Sequence, residues 1–345
     1  MDIVSFKEAF DPLLARHLAY KTDCYKKITK NQEVLRILDH INEIGIGGKR
    51  LRPFIVYSIY KNKNPDAKIQ DVLDLLLGIE IFHIFCLVHD DIMDEADMRH
   101  GTKTVHKYTE DILIKEDRIN TKRVSEGQAI LVGDILFNVV YEQKYKNGWA
   151  KDDETKNKVI NVFVELVEEV CVGQMIDINL SSKKDCSIDE IMEKTKLKTA
   201  YYSFARPIQI GFALIGEEHS FSYEFGENIG ILFQIQDDLL DIIGKTEETN
   251  KATLSDILQN QHTVLTDHIK NNAEPKYKKY FENIKNLESS EIIKLFYDSG
   301  AINSAKQKIQ EYTQKCDLII QKSDLSDSYK DIFTYLTSLL KNRTK

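Results

Sequence analysis

Six aspartates dominate the chemistry open to this sequence. They form two copies of Asp-Asp-x-x-Asp. Asp90, Asp91 and Asp94 close the run that begins at Phe82, and Asp237, Asp238 and Asp241 close the run that begins at Phe233. Each copy follows a mainly apolar stretch that reads as a buried helix. Residues four apart share a helix face, so Asp90 pairs with Asp94 and Asp237 with Asp241, the middle aspartate lying one step round. Carboxylates crowded at the end of an apolar helix repel each other and resist desolvation. A divalent cation relieves both costs. Oxygen donors with no Cys or His pair point to magnesium, which usually bridges to phosphate. One such copy is more often a solvated acidic helix end than a metal site. Two copies, each behind an apolar run, are hard to explain that way.

Cations gather at the start of another helix. The stretch Gly47-Gly-Lys-Arg-Leu-Arg-Pro53 ends one helical pattern and opens the next. Pro53 suits a first helical turn, and the glycines let backbone approach a ligand. Lys49, Arg50 and Arg52 there fit phosphate binding at a helix N-terminus, or a glycine stop followed by solvated charge. His83, seven residues before Asp90, lies on nearly the same face. Arg99 and His100 follow the first motif closely and suit anionic groups held by metals. Lys198 and Thr199 form a basic, hydroxylic step in an apolar helix expected to run on to Leu214. Gln174 and Asp177 face one way, three residues apart, and Gly133 inside an apolar helix marks close packing.

The elements that position these groups read as helices. Val34, Leu35, Leu38, Ile41 and Ile44 recur at three and four, no run alternates strictly, and the 345 residues hold only 15 Gly and 5 Pro. The chain is expected to be all-α, a single domain over 1–345. Residues 111–123 are charged and poorly periodic, and are expected to form a loop, with the next helix opening near Glu126. Composition is that of a globular protein, with 30% charged and 42% hydrophobic residues and a net charge of −8, which excludes a generic nucleic-acid binder. Five cysteines without a Cys-x-x-Cys pair suit a reduced, cytoplasmic setting. The N-terminus shows no signal-peptide pattern. Residues 72–93 are long enough to span a bilayer, but their acids and histidines favour a core helix over a membrane span.

Seven ordered blocks now resemble the trans-isoprenyl diphosphate synthases, the polyprenyl synthetase family. They are Gly-Gly-Lys-Arg-Leu-Arg-Pro, His-Asp-Asp-Ile-Met-Asp, Met-Arg-His-Gly, Ala-Ile-Leu-Val-Gly-Asp, Gly-Gln-Met-Ile-Asp, Lys-Thr and Phe-Gln-Ile-Gln-Asp-Asp-Leu-Leu-Asp, over about residues 40–260. The resemblance implies a helical bundle around a deep cavity, usually a homodimer, that condenses isopentenyl diphosphate head-to-tail with an allylic diphosphate. It implies that the aspartate clusters hold about three magnesium ions gripping the allylic diphosphate. Arg99, Lys198 and Lys251 would contact that diphosphate, with Thr199 and Gln234 lining the reacting region. Lys49, Arg52 and His83 would bind isopentenyl diphosphate, with His100 in a partial role. Ionisation leaves an allylic cation and pyrophosphate; the second alkene attacks, and a proton leaves to the pyrophosphate, since no strong protein base is evident.

The departures carry information. His100 stands where the family usually has a second arginine, Gln261 where it has a lysine, and Asn250 where it has a glycine. These changes imply weakened diphosphate binding. Phe82, Phe85 and Cys86 form the floor that stops chain growth in the family pattern. Aromatic Phe85 beside small Cys86 implies geranylgeranyl diphosphate (C20), with farnesyl diphosphate (C15) as the alternative. Two rival readings share the pattern. A class I terpene cyclase would normally mix Asn, Ser and Glu in its second metal site. A non-catalytic partner subunit would normally lose an aspartate cluster.

Overall fold

The computed structural model describes residues 1–146, 148–244 and 254–341. The protein is all-α, with one two-residue hairpin among the described residues. It divides into two compact units, Met1–Asp153 and Glu154–Lys345.

The first unit holds α1 (Ile3–Ile28), α2 (Gln32–Ile46), α3 (Leu51–Lys63) and α4 (Leu73–Met93), then α5 (Val105–Lys115) and α6 (Thr121–Tyr145). Helix α4 is its centre. Residues 75–82 are all buried, so no face of that stretch meets water. It packs chiefly on α6. The span Ile69–Met93 is long and apolar enough to cross a bilayer, but most of it is buried within the protein. The loop expected over 111–123 is confined to 116–120: α5 runs to Lys115 and α6 opens at Thr121. Glu116, Asp117 and Arg118 lie in the exposed connection, while Lys115, Lys122 and Arg123 lie on exposed helix ends, where periodicity carries no packing signal.

The second unit opens with α7 (Asp153–Ser181) and an unbroken helical run, α8 (Ile188–Lys194), a π-helix (Thr195–Ala205) and α9 (Arg206–Leu214). Helix α10 (Phe221–Ile243) packs against the π-helix, and Gly244 caps it. Its other side, through Ile231, Ile235, Leu239 and Ile242, joins a core with Phe296, Ile302 and Ile309. The helix expected to reach Leu214 does so, but its middle turns widen to π geometry, a form that clusters at functional sites. Glycines make room for it. A Cβ on Gly173 would lie 2.4 Å from the Lys198 nitrogen. Cβ atoms on Gly226 and Gly230 would each lie 2.3 Å from a Cα, of Ala205 and Ala200.

Candidate active site

The first aspartate cluster sits where α4 ends. The helix stops at Met93, and Asp94 is its cap, donating its backbone N–H to the Asp90 carbonyl at 2.8 Å. Asp90 and Asp94 are half-buried, whereas Asp91 is only 1% exposed. Arg99 answers that burial. Its Nε and Nη2 donate to Asp91 Oδ1 at 2.8 and 2.5 Å, and its Nη2 lies 3.8 Å from Asp90. Burial still pushes the Asp91 carboxyl up to about 6, against the pull of Arg99. Asp91 Oδ2 is buried with no hydrogen-bond partner. A buried carboxylate oxygen of this kind, in an all-oxygen donor set, fits a hard cation. Among the described residues no three acidic, His or Cys groups converge tightly enough to enclose an ion by themselves.

Two devices set that helix end. His89 Nε2 donates to the Ile130 carbonyl of α6 at 3.1 Å. Its ring fills the space left by Gly133, where a Cβ would lie 2.1 Å from Nε2. The close packing expected of Gly133 is therefore with His89. The hairpin Met98–Arg99/Thr102–Lys103 supplies Arg99. His100 and Gly101 turn it with φ of 51° and 82°, the two positive values that a type I′ turn requires.

The cationic block divides into a buried and a more open part. Arg50 is 3% exposed and adopts φ 55°. It donates to Asp11 Oδ1 and Glu80 Oε1, each at 2.7 Å, and to the Gly45 and Ile46 carbonyls that end α2. It is a buried staple, so its expected share in phosphate binding is corrected. Lys49 is exposed and Arg52 half-buried at the start of α3. The His100 ring lies against Gly47, where a Cβ would be 2.6 Å away. Desolvation holds the half-buried His83 well below the usual imidazole range, and Arg52, His100, Arg50 and Arg99 add to the effect. His83 is thus a neutral donor or acceptor at neutral pH, among cations.

Phe82, Phe85 and Cys86 lie one to two turns before Asp90 on α4. The Phe85 ring packs at a tilt against Phe82 at 5.5 Å and Phe137 of α6 at 5.1 Å, and meets His89 edge-on at 4.7 Å. Phe137 was not legible as part of this group, because only the packing of α4 on α6 brings it there.

In the second unit, Asp237 and Asp241 are half-buried and Asp238 is 6% exposed. A relay ends on Asp238: Thr199 Oγ1 donates to Gln234 Oε1 at 2.7 Å, and Gln234 Nε2 donates to Asp238 Oδ1 at 2.8 Å. Burial pushes Asp238 far above the usual carboxylate range; the Gln234 hydrogen bond and Lys194 oppose it, and Asp237 and Asp241 add to it. Asp241 Oδ2 accepts from the Asp256 backbone N–H at 3.1 Å. Lys198 Nζ donates to Asp177 Oδ2 at 2.5 Å. Asp177 is buried and kept ionised below the usual range by Lys198 and Lys194, against its burial. Lys251 lies outside the described residues.

An all-α chain with an acidic helix end in each unit and a basic block at a helix start defines a class that handles diphosphates with metal. Comparison with known proteins agrees. A family profile described as polyprenyl synthetase matches residues 31–299. The chain is 30% identical to a short chain isoprenyl diphosphate synthase of Methanocaldococcus jannaschii, over 85% of this chain and 86% of the relative. It is 28% identical to a geranylgeranyl diphosphate synthase of Methanosarcina mazei, over 72% and 71%. Among solved structures, geranylgeranyl pyrophosphate synthase from Corynebacterium glutamicum, complexed with isoprenyl diphosphate and magnesium, superposes with a TM-score of 0.86 at 23% identity, over 99% and 100% of the two chains. The synthetase from Pyrococcus horikoshii gives 0.70 at 27%, over 95% and 99%. The chain belongs to the polyprenyl synthetase family. It is a prenyltransferase, building isoprenyl diphosphates by head-to-tail transfer.

Proposed function

We propose that this enzyme extends an allylic diphosphate with isopentenyl diphosphate to geranylgeranyl diphosphate, with magnesium held by Asp90, Asp91 and Asp94 and by Asp237, Asp238 and Asp241. The observation that carries the product length is the Phe85 ring, braced by Phe82 and Phe137 one turn before the first cluster. A growing apolar chain that meets this braced aromatic stops there. Small Cys86 beside it leaves room that a second ring would remove.

Magnesium, when bound, stabilises charge that grows on the leaving diphosphate. The chain's own residues do the rest. Arg99 holds Asp91 ionised and in place. Gln234 fixes one Asp238 oxygen and Thr199 fixes Gln234. Asp177 aims the Lys198 ammonium, and Lys198 neutralises departing diphosphate charge. Lys49, Arg52, His83 and His100 hold isopentenyl diphosphate, His83 as a neutral imidazole. Lys251 adds to the allylic diphosphate contacts. About three ions per site, a homodimer and a cytoplasmic setting complete the reading; the five thiols, none in a disulfide, suit a reducing compartment.

The test is incubation of the purified chain with magnesium, isopentenyl diphosphate and each of the C5, C10 and C15 allylic diphosphates, with products identified by mass. A linear C20 diphosphate is expected. A C15 limit would move the floor closer. No elongation from any primer would reject the reading. His100→Arg is expected to raise kcat/KM by lowering KM for isopentenyl diphosphate; an unchanged value would remove His100 from that site.

A further inference from the structure

We propose that Lys194 is a second cation for the allylic diphosphate, standing beside Lys198 and supplying the charge that Gln261 does not. The inference rests on the synthase reading above and concerns the second unit alone.

Lys194 ends α8 and precedes Lys198 by one helical turn, so the two side chains leave the same side of the run. Both ammonium groups meet one carboxylate. Lys198 Nζ donates to Asp177 Oδ2 at 2.5 Å, and Lys194 Nζ lies 3.2 Å from Asp177 Oδ1. The Lys194 contact is within ion-pair range but off hydrogen-bond alignment, since Oδ1 accepts no aligned bond. The aligned acceptor of Lys194 is instead the His262 carbonyl, at 2.9 Å. That carbonyl immediately follows Gln261 in the chain.

Charge accounting turns these distances into a function. Two lysines face Asp177, and Lys194 also acts on the buried Asp238 of the second aspartate cluster, so its ammonium lies within reach of both. The Lys194 side chain is only 12% exposed and Asp177 only 5%. Desolvating a second ammonium costs free energy that an anion bound beside it recovers. A structural role alone, tying the His262 carbonyl to α8, needs a donor but no charge. An ammonium carries three donors on a compact charge, which suits a phosphate oxygen. With Gln261 neutral on the adjoining backbone, Lys194 takes over its electrostatic duty.

Inorganic pyrophosphate with magnesium is the probe, titrated by calorimetry and thermal shift against the full chain. Lys194→Gln keeps a donor for the His262 carbonyl and removes the charge. It is expected to melt like the parent without ligand, to bind pyrophosphate about tenfold more weakly, and to raise KM for the allylic diphosphate more than it lowers kcat. Adding Gln261→Lys to that variant is expected to restore binding, whereas Gln261→Lys alone changes it little. Parent-like pyrophosphate binding by Lys194→Gln, or no rescue by Gln261→Lys, would overturn the role of Lys194 while leaving the synthase reading intact. A parent chain that neither binds pyrophosphate nor elongates a primer would overturn both.

Discussion

Asp91 and Asp238 hold the same place in their motifs, the middle of Asp-Asp-x-x-Asp, and both are buried against a helix end. Their partners differ. Asp91 faces a guanidinium, Arg99, delivered by a hairpin outside the helix. Asp238 faces a neutral amide, Gln234, one turn back on its own helix, held in turn by Thr199. Burial raises both carboxyls. One buried carboxyl is offset by a paired cation, and the other chiefly by a neutral hydrogen-bond relay that leaves it the more strongly raised of the two. A repeated motif does not make a repeated electrostatic environment.

The sharpest way to break that comparison is to remove each partner. Arg99→Met leaves Asp91 buried and unpaired. Losing one partner of a buried pair costs roughly 3–5 kcal/mol, and kcat/KM should fall at least 100-fold. Gln234→Leu removes one neutral hydrogen bond, worth about 1 kcal/mol, with a loss nearer tenfold. Urea unfolding and steady-state kinetics compare the two directly. Equal effects would mean that Arg99 carries no special burden.

pH separates charge from packing. A carboxyl raised by folding binds its proton more tightly in the folded state. Its contribution is full below the unfolded value near 4 and is lost as pH rises toward about 6, the Asp91 value. The magnitude for Asp91 is roughly 3 kcal/mol. Depressed histidines such as His17 and His83 act in the opposite sense over this window, so the carboxyl effect is read as the difference in melting temperature between the metal-free parent and a carboxyl-to-amide variant. Asp238→Asn should gain stability over the parent as pH rises toward 7.5, while abolishing turnover. A difference between Asp238→Asn and the parent that does not change with pH would contradict the burial of Asp238.

Packing offers a smaller contrast. Gly230→Ala would press on the Ala200 backbone, which cannot yield cheaply, whereas Gly133→Ala would press on the His89 ring, which can swing away. Thermal unfolding should show a loss of about 1–3 kcal/mol for Gly230→Ala and less for Gly133→Ala. The latter should lose the Ile130 contact of His89 and weaken magnesium-dependent pyrophosphate binding. The mildest change is Phe137→Ala beside Phe85→Ala. Both should lengthen the product by one five-carbon unit or more, Phe85→Ala further, with stability reduced and kcat nearly kept. Unchanged product lengths would move the floor elsewhere.

Much of this was legible from residues 1–345 alone. Periodicity, scarce Gly and Pro, and apolar runs ahead of each acidic triplet determined an all-α chain and both aspartate clusters, because those signals are local. Spacing also placed Lys198 beside Thr199 and marked Gly133 as a packing position. Three things were decided only by tertiary structure. Arg50 looked like a phosphate ligand until burial paired it with Asp11 and Glu80, which are far from it in the chain. The π-helical run depends on Gly173, Gly226 and Gly230 arriving from two other helices. Lys194 gained meaning only when Asp177 and the His262 carbonyl met it. Local pattern fixes which groups a helix can present. The charge state and partners of those groups depend on which distant segments exclude water from them.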